Sequence, residues 1–148
     1  MELADVLSQA KEIVRNARDP QQALERVLEL LRRVPRYDWV GVYAVEGGQL
    51  ALRAWRGDRP TQHVRIPLGA GICGAAALSG KVENVPDVSR DRRYIACFPE
   101  TKSELVVPIF RDGRVVAELD IDSEQLAAFG ERDVELLKQL AEYLSALL

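Results

Sequence analysis

Sulfur and imidazole are scarce in this chain. Its 148 residues include one histidine, His63, one methionine, Met1, and two cysteines, Cys73 and Cys97. A zinc centre needs paired ligand spacings, and His63 with two isolated cysteines does not supply them, so no metal is expected. Two cysteines are also too few for the disulfide framework of a small secreted domain. They fit a reducing compartment, where thiols are reactive or simply buried. Long apolar runs are missing, and with them any membrane-spanning helix. The first five residues lack the basic and apolar regions of an export signal, so a cytoplasmic location is expected. A basic excess is missing too. Twenty Lys and Arg stand against 23 Asp and Glu, for a net charge of −3, which argues against nucleic acid. Arg56, Arg59, Arg65, Arg90, Arg92 and Arg93 are interspersed with acids and read as solvated surface.

What is present is ordinary globular composition, 47% hydrophobic and 29% charged, in a length that makes one domain over 1–148. Residues 1–34 read as two amphipathic helices. Leu3, Val6, Leu7, Ala10, Ile13 and Val14 carry the first stripe, and Leu24, Val27, Leu28 and Leu31 the second. Asp19-Pro20 is a start signal for the second helix, and Pro35 stops it. From residue 38 the period changes to two. Trp39, Gly41, Tyr43 and Val45 alternate with Val40, Val42 and Ala44, and Glu46-Gly47-Gly48 turns into a second strand near 49–56. Short strands follow near 63–67 and 82–85, with a short helix between them that Gly80 ends. Residues 86–101 form a long polar loop, a kind of segment usually functional or mobile. After Phe129 the chain is helical. Over 35–148 the pattern is a sheet, an active-site loop and a closing helix. The whole is an α+β domain with a central, mostly antiparallel sheet flanked by N- and C-terminal helices, which can cover the sheet or pair in a homodimer.

Residues 103–110 and 114–122 form a hairpin around Asp112-Gly113. A plain two-residue loop would set Leu105 beside Asp120. A three-residue loop sets Leu105 opposite Leu119 and Val107 opposite Ala117, which burial prefers. Glu104 then faces Asp120, with Asp122 on the same side. Glu118 shares that stripe, but no motif selects it and it reads as structural. A face bearing three acids is either solvated or, if covered, in need of a cation such as an α-ammonium. Trp39 and Tyr43 share one strand face and are either core aromatics or a ligand wall. Gly69-Ala70-Gly71-Ile72-Cys73-Gly74 matches a dinucleotide pattern only in letters. The helix it opens is too short and no parallel βαβ unit follows, so no organic cofactor is expected. The turn instead presents Cys73 near a helix N-terminus, where its pKa would be lowered. Cys73 and Cys97 are either buried fillers or redox thiols. With three carboxylates on adjoining segments, they suggest thiol chemistry on a small zwitterion.

Several landmarks carry a family resemblance. Val85-Pro86-Asp87-Val88, Ser103-Glu104-Leu105-Val106-Val107-Pro108 and Leu119-Asp120-Ile121-Asp122-Ser123 resemble GAF domains. Asp38-Trp39-Val40-Gly41-Val42-Tyr43, Gly71-Ile72-Cys73-Gly74 and Ile95-Ala96-Cys97 resemble the free methionine-(R)-sulfoxide reductases within that superfamily. The resemblance implies an enzyme that reduces free methionine-(R)-sulfoxide. Cys97 would be its nucleophile and Cys73 its resolving thiol, with their disulfide recycled by a thioredoxin-like protein. Glu104, Asp120 and Asp122 would bind substrate, walled by Trp39 and Tyr43. The alternative is a non-catalytic GAF module that binds a small ligand or dimerises. Many reductases of this kind carry a further cysteine ten residues before Cys73, where this chain has His63. They usually place Gly-His before Ile-Ala-Cys and an acid after it, where this chain has Arg93-Tyr94 and Phe98.

Overall fold

The structure, a computed structural model, describes residues 1–96 and 98–148. Helices α1 (Leu3–Arg15) and α2 (Pro20–Leu31) come first. Asp19 accepts hydrogen bonds from the backbone N–H groups of Gln21 and Gln22, at 3.0 and 3.3 Å. With Pro20 in the first turn, α2 therefore begins where the sequence signals it. The strands are β1 (Trp39–Glu46), β2 (Gln49–Gly57), β3 (Arg65–Pro67), β4 (Glu83–Val85), β5 (Ser103–Arg111) and β6 (Arg114–Ser123). Helix α3 (Gly71–Ser79) lies between β3 and β4, and α4 (Glu131–Leu144) follows β6. Among the described residues the strands make one six-stranded sheet, ordered β3-β2-β1-β6-β5-β4. Every neighbouring pair is antiparallel, as the α+β reading requires.

Both faces of the sheet are covered. The apolar stripes of α1, α2 and α4 pack on one face, over Val40 and Val42 of β1, Leu105 and Val107 of β5, and Leu119 and Ile121 of β6. The terminal helices are thus used on this chain's own sheet. Helix α3 and the segment after β4 cover the other face, where Ile72, Cys73, Ala76 and Val88 meet Trp39, Tyr43 and Val106. Each central strand therefore has two buried faces of different character.

The β5–β6 hairpin corrects the register expected from the sequence. Its loop has two residues, not three. Asp112 and Gly113 both take positive φ, 52° and 75°, as a type I′ turn demands. A register shift between Ile109 and Phe110 then leaves Val116 unpaired. This bulge absorbs the residue that would otherwise put Leu105 beside Asp120. Leu105 pairs with Ile121, Val107 with Leu119 and Glu104 with Asp122. The expected partners were two residues off. A shift of two preserves side-chain parity, so the acids keep the face the pattern gave them.

A polar knot pins α4 to the start of β1. Asp133 accepts hydrogen bonds from the Tyr37 hydroxyl at 2.6 Å, from Arg36 at 3.0 Å and from the backbone N–H of Gly130 at 2.9 Å. Burial and the facing carboxylate push the Tyr37 phenol far above its ordinary pKa. Asp133→Ala should cost about 1–3 kcal/mol, because it strands a buried hydroxyl. In Tyr37→Phe background the same change should cost clearly less. Chemical denaturation of the four-member cycle measures this, and strict additivity would show that the knot carries no coupling.

Candidate active site

Strand β6 presents Ala117, Leu119 and Ile121 to the helices, so Glu118, Asp120 and Asp122 must face the other way. That face is closed to solvent. Glu118 is 0% exposed, Asp120 and Asp122 are 3%, and Glu104, beside Asp122 on β5, is 6%. Cys73 reaches the same face from the first turn of α3. Gly74 permits this approach, since a Cβ there would stand 2.7 Å from the carbonyl oxygen of Pro67. The Cys73 thiol is free and buried. It donates a long hydrogen bond, 3.9 Å, to Oε2 of Glu104. Three predicted site residues, Cys73, Glu104 and Asp120, thus converge, with donor atoms within 4.8 Å of one another. Asp122 adjoins them.

The cluster is short of partners. Both carboxyl oxygens of Glu118, and Oδ1 of Asp120 and of Asp122, have no hydrogen-bond partner among the described residues. Burial raises the pKa of all three acids. Asp120 adds to the rise at Glu118 and Asp122, while contacts with Glu104 and the Cys73 thiol work against it. Carboxyls that share hydrogen bonds must share at least one proton. The thiol is affected in the same sense. Burial first, then Asp120, Glu118, Glu104 and Asp122, push Cys73 well above its ordinary value. This overturns the expectation that the helix N-terminus would lower it: half a charge from a helix end is outweighed by desolvation and four acids. A metal would require the thiolate, and among the described residues no histidine joins the group. The arrangement suits an organic ammonium instead, which supplies charge and several N–H donors at once.

Beside the cluster lies a cavity of about 260 Å³, lined in part by Asp38, Trp39, Phe98, Thr101 and Asp122. Trp39 is its aromatic wall. The indole stacks on Trp55 at 6.5 Å with an 8° interplanar angle, and meets Phe98 at 6.1 Å. It lies flat because the positions beneath it are glycines. A Cβ on Gly41 would fall 2.3 Å from the ring, and one on Gly57 would fall 2.5 Å from it. Tyr43 sits on the same face, opposite Glu118. It does not line this cavity. It is buried and its hydroxyl donates to the carbonyl oxygen of His63 at 2.8 Å.

Cys97, the expected nucleophile, lies outside the described residues. Its flanks are tied down. The carbonyl oxygen of Ala96 stands 3.2 Å from Nε2 of His63. Arg93 pairs with both oxygens of Glu83 at 2.9 and 3.0 Å. Arg59, expected as plain surface, lies over the Phe98 ring at 5.2 Å and pairs with Glu100 at the cavity rim. Sequence reading passed over two residues of the site. Phe98 carried no signal beyond its oddity in the motif. Glu118 was legible by parity alone, since any residue an even number from Asp120 must share its face.

A family model described as GAF domain matches residues 17–148. The chain belongs to that family. Other proteins resemble it across most of its length. Protein YtsP of Bacillus subtilis is 43% identical over 117 residues, 78% of this chain and 71% of that protein. A free methionine-R-sulfoxide reductase of Escherichia coli is 34% identical over 119 residues, 80% and 71% of the two chains. A free methionine-R-sulfoxide reductase from Neisseria meningitidis, solved in complex with its substrate, superposes with a TM-score of 0.92. It is 36% identical, and the match covers 98% of this GAF domain and 87% of that chain.

The raised carboxyls give the site a pH signature. An acid whose folded pKa exceeds its unfolded value stabilises the fold fully below the unfolded value. It loses that contribution as pH rises through the folded one. Asp122→Asn should therefore gain stability relative to wild type as pH climbs above about 4. Denaturation of both ligand-free proteins across that range measures the difference. A constant difference would mean that Asp122 titrates normally and is not a strained acid.

Proposed function

We propose that this GAF domain reduces free methionine-(R)-sulfoxide to methionine, with Cys97 as nucleophile and Cys73 as resolving thiol. The observation that carries the reading is the covered floor of Glu118, Asp120 and Asp122, with oxygens that have no hydrogen-bond partner among the described residues, set beside an aromatic-walled cavity. A free amino acid brings the missing ammonium, and its methylthio end matches the face of Trp39, where positive charge developing on sulfur is stabilised. The reductases related to this chain support the choice of substrate.

In the reaction the Cys97 thiolate attacks, the sulfoxide S–O bond breaks, and methionine leaves while Cys97 becomes a sulfenic acid. A proton from the carboxyl cluster lowers the barrier to S–O cleavage. Cys73 then attacks the sulfenic sulfur, the S–S bond forms, and water departs. The two electrons given to the substrate are now missing from the thiol pair. A thioredoxin-like dithiol returns them by disulfide exchange. Since the sequence holds no third cysteine, Cys73 is the sole intramolecular partner for Cys97.

Cys97→Ser should abolish turnover, whereas Cys73→Ser should permit one stoichiometric reduction and no cycling with thioredoxin. Normal turnover by Cys97→Ser would refute the assigned roles. N-acetylation of methionine sulfoxide removes the ammonium, so it should lower kcat/KM by about tenfold or more, the loss of one charge-assisted contact of 1.5–3 kcal/mol. Equal rates for the free and acetylated compounds would mean that the carboxyls do not bind the amine. A GAF module without catalysis would form no intramolecular disulfide on anaerobic treatment with sulfoxide, which mass spectrometry of the alkylated protein decides.

A further inference from the structure

A free amino acid carries a carboxylate as well as an ammonium. The ammonium has a counterpart in the carboxyl floor, and the carboxylate needs one of its own. Five acids line the cavity, Asp38, Asp58, Glu100, Asp122 and Glu124, and among its described lining residues Arg59 is the sole cation. Three of the acids are already engaged. Oδ2 of Asp38 accepts from the backbone N–H of Glu124 at 2.7 Å. Asp58 pairs with Arg32 at 2.7 Å, and Glu100 pairs with Arg59. Asp122 differs. It is 3% exposed, and its Oδ1 has no hydrogen-bond partner among the described residues. The cavity thus has a buried wall short of positive charge and a rim that holds Arg59.

We propose that Arg59 is the subsite for the α-carboxylate of the substrate, and that Glu100 occupies its guanidinium until the ligand arrives. The inference rests on the reductase reading and narrows its ligand class to α-amino acids with a free carboxylate. Arg59 and Glu100 each keep 51% of their side chains exposed. An ion pair so exposed contributes little, so a competing carboxylate can displace it. The exchange replaces one carboxylate by another and leaves no charge unpaired. It also spares the contact that positions Arg59. The guanidinium lies over the Phe98 ring at 5.2 Å, and Phe98 meets Trp39 at 6.1 Å. A guanidinium stacks through its face and donates through its edge, so Arg59 can stay on Phe98 while it grips a carboxylate with two N–H groups. With the ammonium at Asp122 and the carboxylate at Arg59, both ends of the amino-acid head are fixed. A methionine sulfoxide inside a polypeptide offers neither charge.

Steady-state turnover of the full chain with dithiothreitol tests the subsite. The two substrates are free methionine-(R)-sulfoxide and its carboxamide, which keeps the ammonium and lacks the carboxylate. Wild type should prefer the free acid. Arg59→Gln should raise KM for the free acid about tenfold or more, the loss of a charge-assisted contact. It should leave kcat unchanged, as loss of uniform binding does, and barely affect the amide. Glu100→Gln should act in the opposite sense. It should lower KM for the free acid by up to about fivefold, the worth of an exposed ion pair, because the competitor for Arg59 is gone. A pair that merely braces the cavity rim would behave otherwise, since either variant would then raise KM for both compounds. That result, or equal losses for acid and amide in Arg59→Gln, would overturn the proposal. If wild type reduces neither compound, the reductase reading fails by itself. Tryptophan emission titrated with free methionine-(R)-sulfoxide then decides on the subsite. Saturable binding that Arg59→Gln weakens and Glu100→Gln strengthens would sustain it, and any other result would overturn it.

Discussion

The period of two along β5 and β6 is the constraint on which the site depends. Leu105, Val107, Leu119 and Ile121 are pulled toward three helices by burial, and the burial of such side chains contributes roughly 1.5–3 kcal/mol each. Glu104, Glu118, Asp120 and Asp122 have no choice but the opposite face, and α3 closes over them. The core thus drives the acids into a place that acids left to themselves would avoid. The bulge at Val116 reconciles the tight Asp112-Gly113 turn with that alternation. Without it one strand would slip by a residue and exchange core for site.

Burying several carboxyls together leaves protons as the available compensation within the chain. Asp120, Asp122 and Glu118 are all pushed toward their neutral forms, and Cys73 is held as a thiol by the same neighbours. A site in this condition is poised to accept a cation. Under the proposed function, an incoming ammonium would restore ionised acids and convert strain into affinity.

Much of this was legible in the sequence, for physical reasons. Hydrophobic alternation fixes which face a residue takes, and the face of Glu104, Asp120 and Asp122 survived an error of two in the pairing. The bulge was not legible, because any of several residues near 115–117 can absorb an extra step without disturbing the apolar pattern. The direction of the Cys73 shift was also hidden. A helix start can be read locally, whereas the four acids that oppose it come from two strands at least 31 residues further along the chain. The alternation of β1 set the face of Trp39 but left open whether the ring was core or wall. Its flat pose rests on Gly57, a residue of β2 that only the β1–β2 register brings beneath the ring.

That flat indole makes the protein its own optical instrument. The chain has two tryptophans, and both are in the single stack of Trp39 on Trp55. One side of the stack borders the cavity that Asp122 and Phe98 share. No distant tryptophan dilutes the signal. Emission and near-ultraviolet dichroism therefore report on one spot, and a molecule entering the cavity is seen through the ring it touches, with no label added.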